Sequence, residues 1–380
     1  MHLNGNNGNG NGNGKRRLTR MTGNELMSHP LLPPGFYLPS SRRIHPSKRL
    51  RELLRTEAFV VSPEVGDPTG AQLAMYHGFK AVYVSRHSFA MAHLGTTDMD
   101  LCSAVETADT ARRMVSALRK FQLAAAVGDA EKDIPPQALH IPPLVVNMDA
   151  GQGDIFSLQR GTELYVGAGV AGAQIEDQVL SKGSGHKGKA LIPASEVAGT
   201  LKMARLVADD CGNSDFLIFA CASGELAVNA PESLRGLDLA IERALRYLET
   251  GIPDVLSCEF PASDRAPVER FCWEVRKRFP KAIFAFRCPT LLSDSESQRL
   301  SELGELGMKF IFIAVGAQHT YGMSELVQSA AEREAWGSGA ELHGPAYLAD
   351  EHYRQLVAKM FDAERIGKDT SEERPKEEAV

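Results

Sequence analysis

Short apolar runs rich in β-branched and aromatic residues recur along the chain, and Gly, Pro or Asp bounds each run. Runs of this kind are typical of strands that are buried on both faces of a sheet. Between the runs, apolar positions recur at the spacing of amphipathic helices, as in 196–209 and 234–249. The runs predict eight strands, at 59–62, 81–85, 144–149, 171–177, 216–223, 254–260, 283–288 and 309–315.

The alternation of strands with helices predicts an α/β fold with a parallel sheet whose outer face is covered by helices. Eight such units favour a closed (β/α)₈ TIM barrel over an open sheet. The longest gap, between the second and third strands, has room for an extra helix or lid. Because active sites of this fold lie at the carboxyl ends of the strands, the residues that follow each strand are the candidates for chemistry.

Two glycine patterns could be taken for nucleotide sites. G-x-G-x-x-G at 167–172 precedes a predicted strand instead of following one, so it indicates a tight helix-to-strand connection. G-x-x-x-x-G-K at 183–189 is followed by Ala190 where a phosphate-binding loop needs a hydroxyl. Its composition is typical of a mobile loop that closes over an anion, and equally of a plain flexible loop.

Composition divides the chain into three parts. Asn and Gly alternate from Asn4 to Gly14, and the last residues are almost all charged or small, so both ends lack the means to build a core. We predict a disordered N-terminal extension and lead-in at 1–46, a barrel domain at 47–367, and a charged disordered tail at 368–380.

Charge and hydropathy restrict the partners. With 42 Lys plus Arg and 48 Asp plus Glu, the net charge of −6 gives no reason to expect nucleic acid or an anionic membrane as a partner. No apolar run approaches the roughly 18–20 residues needed to cross a bilayer, and the N-terminus lacks a signal pattern. The six cysteines include no C-x-x-C pair, so we expect reduced thiols in a cytoplasmic protein.

Carboxylates at adjacent strand ends suggest a metal. Asp149 and Glu176 each follow an apolar strand, and Asp98 lies in the long gap before them. Together they offer the oxygen ligands that Mg²⁺ prefers. A hard divalent ion at such a site polarises a substrate carboxylate and stabilises an enolate.

Several motifs stand in a fixed order along the predicted barrel. They are V-N-M-D-A-G-Q-G at 146–153, I-E-D-Q at 175–178, K-G-S-G-H-K-G-K-A-L-I-P at 182–193, D-V-L-S-C-E at 254–259 and Y-G-M-S-E-L at 321–326. In sequence and order they resemble motifs of isocitrate lyase and of the wider isocitrate lyase and phosphoenolpyruvate mutase superfamily. The resemblance covers about 51–362, which is essentially the whole predicted barrel.

This resemblance implies a (β/α)₈ barrel enzyme that uses Mg²⁺, or Mn²⁺ in its place, to cleave or form carbon–carbon bonds beside a carboxylate. It also implies a homo-oligomer, a dimer or tetramer, in which neighbouring subunits exchange a C-terminal helix. The implied metal site consists of Asp98, Asn147, Asp149 and Glu176. The implied carboxylate contacts are Ser85, Arg86, His87 and Thr290, and the implied catalytic residues are Lys182, Ser184, His186 and Glu259.

Several positions depart from the isocitrate lyase pattern. Ser184 replaces the cysteine that acts as catalytic acid, and a hydroxyl is a far weaker acid than a thiol. Asn147 replaces the first aspartate of D-x-D, which removes one negative charge, and the segment 220–223 lacks an arginine that binds substrate. The arginines gained at Arg86 and Arg287 suggest a relocated contact with an anionic substrate.

Three functions follow from these residues. The first is a Mg²⁺-dependent carbon–carbon lyase, or the reverse condensing enzyme, acting on a small 2-hydroxy or 2-oxo carboxylic acid other than isocitrate. The second is a carbon–carbon hydrolase or a phosphonate mutase of the same superfamily, because one fold supports several chemistries. The third is a degenerate barrel that binds a carboxylate without turnover, which the lost arginine, cysteine and aspartate favour.

Overall fold

The computed structural model describes residues 44–96, 101–127, 141–149, 154–179, 190–224, 227, 229–230, 235–258, 265–288 and 302–313. Each of the eight predicted strands is observed. The strands are β1 Val60–Pro63, β2 Val82–Val84, β3 Leu144–Asn147, β4 Gly172–Ile175, β5 Leu217–Cys221, β6 Val255–Ser257, β7 Phe284–Cys288 and β8 Met308–Ile313.

All ladders of the sheet are parallel, and the strand order is β1-β8-β7-β6-β5-β4-β3-β2. The gap between β1 and β2 is bridged just beyond the end of β1. There Glu64 forms a parallel bridge with Tyr83, and the backbone N–H of Val65 donates to the carbonyl oxygen of Tyr83 over 2.9 Å. The sheet therefore forms the predicted (β/α)₈ TIM barrel.

Helices alternate with the strands. They are α1 Pro46–Thr56, α2 Pro68–Tyr76, α3 Arg86–Leu94, α4 Ala104–Val127, α5 Ile155–Ala168, α6 Ala194–Asp210, α7 Leu237–Glu249 and α8 Arg265–Arg278. Two of them, α3 and α4, occupy the long gap between β2 and β3, which confirms the extra helix. None of the helices in the described ranges has the length and apolarity needed to span a membrane.

Helix α1 closes the amino-terminal end of the barrel. Its buried Leu50 and Leu53 pack with the first apolar side chains of the strands, such as Val60. At the same end Arg51 Nη1 donates to Asp254 Oδ1 over 2.7 Å, immediately before β6. Helix α1 therefore fills the amino-terminal end of the barrel, which directs attention to the opposite end.

The glycine pattern at 167–172 forms the predicted helix-to-strand connection. Gly169 ends α5 with a φ of 82°, a left-handed conformation that favours glycine. Gly172 opens β4, where an added Cβ would lie 2.6 Å from the carbonyl oxygen of Leu217. The two glycines thus serve a turn and a close strand approach, as the sequence indicated.

The domain boundaries stay predictions. Helix α1 begins at Pro46, next to the start of the barrel domain predicted at residue 47. The N-terminal extension up to residue 43, the charged tail and the segment that would hold a swapped C-terminal helix lie outside the described residues.

Candidate active site

The barrel interior changes from apolar to polar toward the carboxyl ends of the strands. Its lower part holds aromatic rings, with the centroids of Phe219 and Phe310 5.2 Å apart. Toward the carboxyl ends of the strands, buried side chains that carry polar groups join the apolar ones. They are Ser62, Glu64, Tyr83, Ser85, Asn147, Asp149, Gln174, Ser223 and Ser257.

The first feature of this polar end is a buried ion pair. Arg86, the first residue of α3, places its Nε against Oδ2 of Asp149, and the two side chains are only 3% and 1% exposed. The side chain of Ser85 caps α3 by accepting from the backbone N–H of Ser88 over 3.0 Å. Asp149 has a φ of 49°, a strained conformation for a residue with a side chain. This turn lies directly after β3.

The second feature is a hydrogen-bond bridge between the ends of β3 and β4. Asn147 Nδ2 donates to Glu176 Oε1 over 2.7 Å, and Asn147 Oδ1 accepts from the backbone N–H of Asp149 over 2.7 Å. Glu176 Oε2 accepts from Gln178 Nε2. Because the amide has one donor and one acceptor in use, its orientation is fixed by these contacts.

The third feature lies at the barrel mouth, which is the end of the barrel formed by the carboxyl ends of the strands. Arg287 Nε donates to Glu64 Oε1 over 3.1 Å; Glu64 is buried, whereas the Arg287 side chain is 49% exposed. The hydroxyl of Tyr83 donates to Gln174 Oε1 over 3.2 Å. Burial raises the pKa of Tyr83 well above its ordinary value, and the nearby carboxylates of Glu64 and Glu176 raise it further. The phenol therefore stays protonated at neutral pH.

The divalent ion that the sequence resemblance implies would need free oxygen ligands at this end of the barrel. A magnesium ion takes carboxylate and carbonyl oxygens as ligands. Here Asp149 Oδ2 is paired with the guanidinium of Arg86. Both carboxylate oxygens of Glu176 accept hydrogen bonds, from the side-chain amides of Asn147 and Gln178. The remaining oxygen, Asn147 Oδ1, accepts from the backbone N–H of Asp149. In this arrangement the three side chains do not fit a divalent ion. The predicted Mg²⁺ stays a prediction that these contacts do not support.

The acid beside Glu176 has a different environment. Asp177 is fully buried, and its Oδ2 accepts from Arg243 Nε over 2.6 Å and from the hydroxyl of Tyr247 over 2.9 Å. The backbone N–H of Ser223 donates to the same carboxylate over 3.0 Å. Asp177 thus ties the end of β4 to α7 and to the end of β5, and its role is to hold the barrel together.

The structure brings together a part of the predicted site. Arg86, Asn147, Asp149 and Glu176 form one cluster, and Ser85 and His87 flank Arg86 at the start of α3. Arg287 lies on β7 and pairs with Glu64. The remaining predicted residues, Asp98, Lys182, Ser184, His186, Glu259 and Thr290, lie outside the described residues.

Sequence reasoning missed several members of this polar end. Tyr83 and Gln174 lie within strands, and each shares a face with a predicted residue two positions later, Ser85 and Glu176. Side chains of a strand alternate between its two faces, so residues two positions apart lie on the same face. Counting back two positions from Ser85 and Glu176 would have identified Tyr83 and Gln174. Arg86 was predicted to contact an anionic substrate, whereas in the structure its side chain pairs with Asp149.

The sequence profile of the family described as phosphoenolpyruvate phosphomutase matches residues 50–333, which include all eight strands. The chain belongs to this family. It is 27% identical over 278 residues to the isocitrate lyase of Haloferax volcanii, a match that covers 72% of each chain. It is 31% identical over 217 residues to the 2,3-dimethylmalate lyase of Eubacterium barkeri, covering 57% of this chain and 64% of that enzyme. The resemblance seen in the sequence motifs is confirmed.

Solved structures of this superfamily share the fold. Oxaloacetate acetylhydrolase in complex with 3,3-difluorooxalacetate superposes with a TM-score of 0.61 at 22% identity, over 85% of this chain and 96% of that chain. A trigonal crystal form of 2,3-dimethylmalate lyase superposes with a TM-score of 0.61 at 19% identity, over 86% of this chain and 94% of that chain. At these identities the likeness establishes the barrel and leaves the substrate to the residues of the site.

Proposed function

We propose that the protein is a carbon–carbon bond lyase that acts on a 2-hydroxy or 2-oxo carboxylic acid other than isocitrate, in the cleaving or the condensing direction. The observation that carries the proposal is the polar end of the barrel. There Arg86 pairs with Asp149, and Asn147 links Asp149 to Glu176. The half-exposed Arg287 pairs with Glu64 at the same end. Relatives named isocitrate lyase and 2,3-dimethylmalate lyase support the reaction class.

The start of α3 and the barrel mouth would bind the substrate carboxylates. The backbone N–H groups of Arg86 and His87 open the first turn of α3, where a helix presents donors and a partial positive charge. Arg287 reaches the mouth from β7 and offers a planar fork of donors that matches a carboxylate. Thr290, a short distance further along the chain, belongs to the same proposed contact.

In the cleaving direction the reaction separates the bond next to a hydroxyl-bearing carbon. The hydroxyl proton leaves, its electron pair forms a carbonyl group, and the carbon–carbon bond breaks. The electron pair of the broken bond is delocalised onto the adjoining carboxylate, which gives an enolate. The enolate carbon then takes up a proton. Positive charge that is fixed before the reaction stabilises such an enolate, and the guanidinium of Arg86 is a charge of this kind.

The proton transfers are assigned to residues outside the described part of the chain. In this proposal Lys182, Ser184 and His186 close over the substrate, and Glu259 orients a polar group or relays a proton. The family resemblance implies Mg²⁺, or Mn²⁺ in its place, but the contacts of Asn147, Asp149 and Glu176 do not fit such an ion, and no step of the proposal depends on it. A cytoplasmic location and assembly as a homodimer or homotetramer complete the proposal.

One specific observation favours a second function, which is carboxylate binding without turnover. The Arg86–Asp149 ion pair and the Asn147–Glu176 hydrogen bond engage these side chains with one another, and Ser184 lacks the acidity of a thiol. A degenerate barrel of this kind would bind the same acids. Only product formation separates the two functions.

The test is an assay for released glyoxylate, pyruvate or oxalate over a panel of substituted malates, citramalate, oxaloacetate and isocitrate, with and without Mg²⁺. The lyase is supported when one substituted 2-hydroxy acid yields a 2-oxo acid and Asp149→Ala abolishes that product. Oxalate and acetate from oxaloacetate would point to a hydrolase instead. Binding of the same acids without any product, in either direction, would establish the binding protein.

A further inference from the structure

The polar end of the barrel contains its own cation at the position where the fold family implies a metal. Arg86 is the first residue of α3, two positions after β2 ends, and its side chain reaches the turn that follows β3, where its Nε lies against Asp149 Oδ2. Both side chains are almost completely buried. A guanidinium keeps its charge at every accessible pH, so this cation is permanent.

We propose that Arg86 is the fixed cation of this site and that the cluster of Asn147, Asp149 and Glu176 binds its carboxylate ligand without a divalent ion. A guanidinium on Asp149 Oδ2 and a divalent ion on the same oxygen would be two cations within a few ångströms, where repulsion in a protein interior is strong. A metal bound to Asp149 Oδ2 would have to displace the buried Arg86 side chain.

Asn147 supports the proposal through an independent contact. The family pattern has an aspartate at this position, and an aspartate cannot donate to Glu176 as the amide does over 2.7 Å. Two carboxylates at this distance would need a shared proton or a cation between them. The amide replaces repulsion by a hydrogen bond to a charged acceptor, so Glu176 is stable in its place without a metal.

The two departures from the family pattern both make the charge of the cluster more positive. Asn147 removes one negative charge from the cluster, and Arg86 adds one positive charge to it. Gln178 supplies a further donor to Glu176. The charge that a divalent ion would otherwise balance is thus balanced within the chain.

The ligand part of this inference rests on the proposed function, whereas the metal part does not. A carboxylate with an adjacent oxygen, of the kind that the proposed lyase would release as an oxo acid, enters the field of Arg86 and of the α3 N-terminus. Oxalate is a stable probe with this pair of groups. If the protein is not a lyase, the absence of a divalent ion from the cluster can still be measured directly.

That measurement is Mn²⁺ binding to the full chain, followed by electron paramagnetic resonance and by titration calorimetry. We expect no saturable Mn²⁺ binding up to the millimolar range for the wild type and for Arg86→Lys, which keeps the cation. The Arg86→Gly, Asn147→Asp double variant should gain a site, with a Kd at least about tenfold lower than any residual wild-type binding. Circular dichroism and thermal unfolding establish whether each variant is folded.

Oxalate binding in the presence of a chelator provides the second arm. The wild type should bind oxalate with the same Kd in EDTA and in Mg²⁺. Two results overturn the inference: saturable Mn²⁺ binding by the wild type that Asp149→Asn removes, or oxalate binding that appears only when Mg²⁺ is added. Both are measured on the wild type or on a conservative variant, so a misfolded double variant does not prevent a decision.

Discussion

Asn147 donates its side-chain amide to Glu176 over 2.7 Å and thereby joins the ends of β3 and β4. The backbone strengthens the same link, since the N–H of Glu176 donates to the carbonyl oxygen of Asp149 over 2.8 Å. Two neighbouring strands are therefore held together at the point where the polar end of the barrel begins. The contacts of Asn147 depend on a neutral amide with both a donor and an acceptor.

Asn147→Asp tests this dependence. The substitution replaces a hydrogen bond to a charged acceptor, worth about 1.5–3 kcal/mol, by repulsion between two carboxylates. We expect the free energy of unfolding at pH 7.5 to fall by at least about 2 kcal/mol. Urea denaturation measures it.

Asn147→Ala is the matched control, because it removes the same hydrogen bonds without adding charge. The difference between the two variants should shrink as the pH falls toward about 4, where an added carboxyl group becomes protonated. A difference that stays constant with pH would show that charge repulsion is not the cause.

The Glu64–Arg287 pair gives a prediction that separates stability from substrate binding. Arg287→Ala removes the guanidinium partner of a buried carboxylate, so we expect a loss of about 1–3 kcal/mol in the free energy of unfolding. Glu64→Gln in the same chain should restore most of that loss, because the buried charge is removed as well.

The double variant should nevertheless bind substrate poorly. Arg287 is half exposed at the barrel mouth, and we expect the KM of both Arg287 variants to rise by at least about tenfold. Steady-state kinetics on the substrate found in the panel measures this. A double variant with wild-type KM would show that Arg287 only neutralises Glu64.

Asp177 is expected to contribute to stability and not to catalysis. Asp177→Ala leaves the buried guanidinium of Arg243 without this carboxylate, and breaking a buried pair costs about 3–5 kcal/mol. Asp238→Ala is the control, since its pair with Arg270 is exposed and should change stability by less than about 1 kcal/mol. Thermal and urea unfolding measure both. An Asp177→Ala protein of unchanged stability that lost activity would contradict this assignment.

His45 gives the chain a pH-dependent helix cap. Its Nδ1 accepts from the backbone N–H of Ser47 over 3.3 Å at the start of α1, and this contact requires an unprotonated nitrogen. Burial lowers the pKa of His45 below its ordinary value of 6.5. The unfolded chain therefore takes up the proton first, so the contribution of the cap is complete above pH 6.5 and is lost as the pH falls below it.

The His45→Asn variant tests whether the cap loses its contribution to stability as the pH falls. Asparagine is a good helix cap and does not titrate in this range. The free energy of unfolding of the wild type, relative to that of His45→Asn, should decrease between pH 7.5 and pH 5.5. An increase over the same interval would mean that the folded chain holds the proton more tightly.

The barrel could be predicted from the sequence because its signals are local. Each strand is a short apolar run bounded by turn residues, and the glycine pattern at 167–172 marks a helix end and a strand start in adjacent positions. Eight strands that alternate with helices along the chain are compatible with only a few sheet topologies. The extra helix after β2 followed from the length of one gap.

The contacts of the site could not be predicted in the same way. Asp177 stands at a strand end like a catalytic acid, yet its partner Arg243 lies 66 residues further along the chain. The side chain of Arg86 could equally have pointed to solvent, and only the fold places it on Asp149. Such pairings depend on side-chain orientation and on distant packing, neither of which a single sequence records.

The proposed lyase and the role of Arg86 are tested together by the initial rate of 2-oxo acid release by the wild-type protein from its best substituted malate, measured in EDTA and again in Mg²⁺. We expect release at the same rate in both conditions. Release that requires Mg²⁺ would contradict the role of Arg86, and no release in either condition, with the reverse condensation also absent, would contradict the lyase.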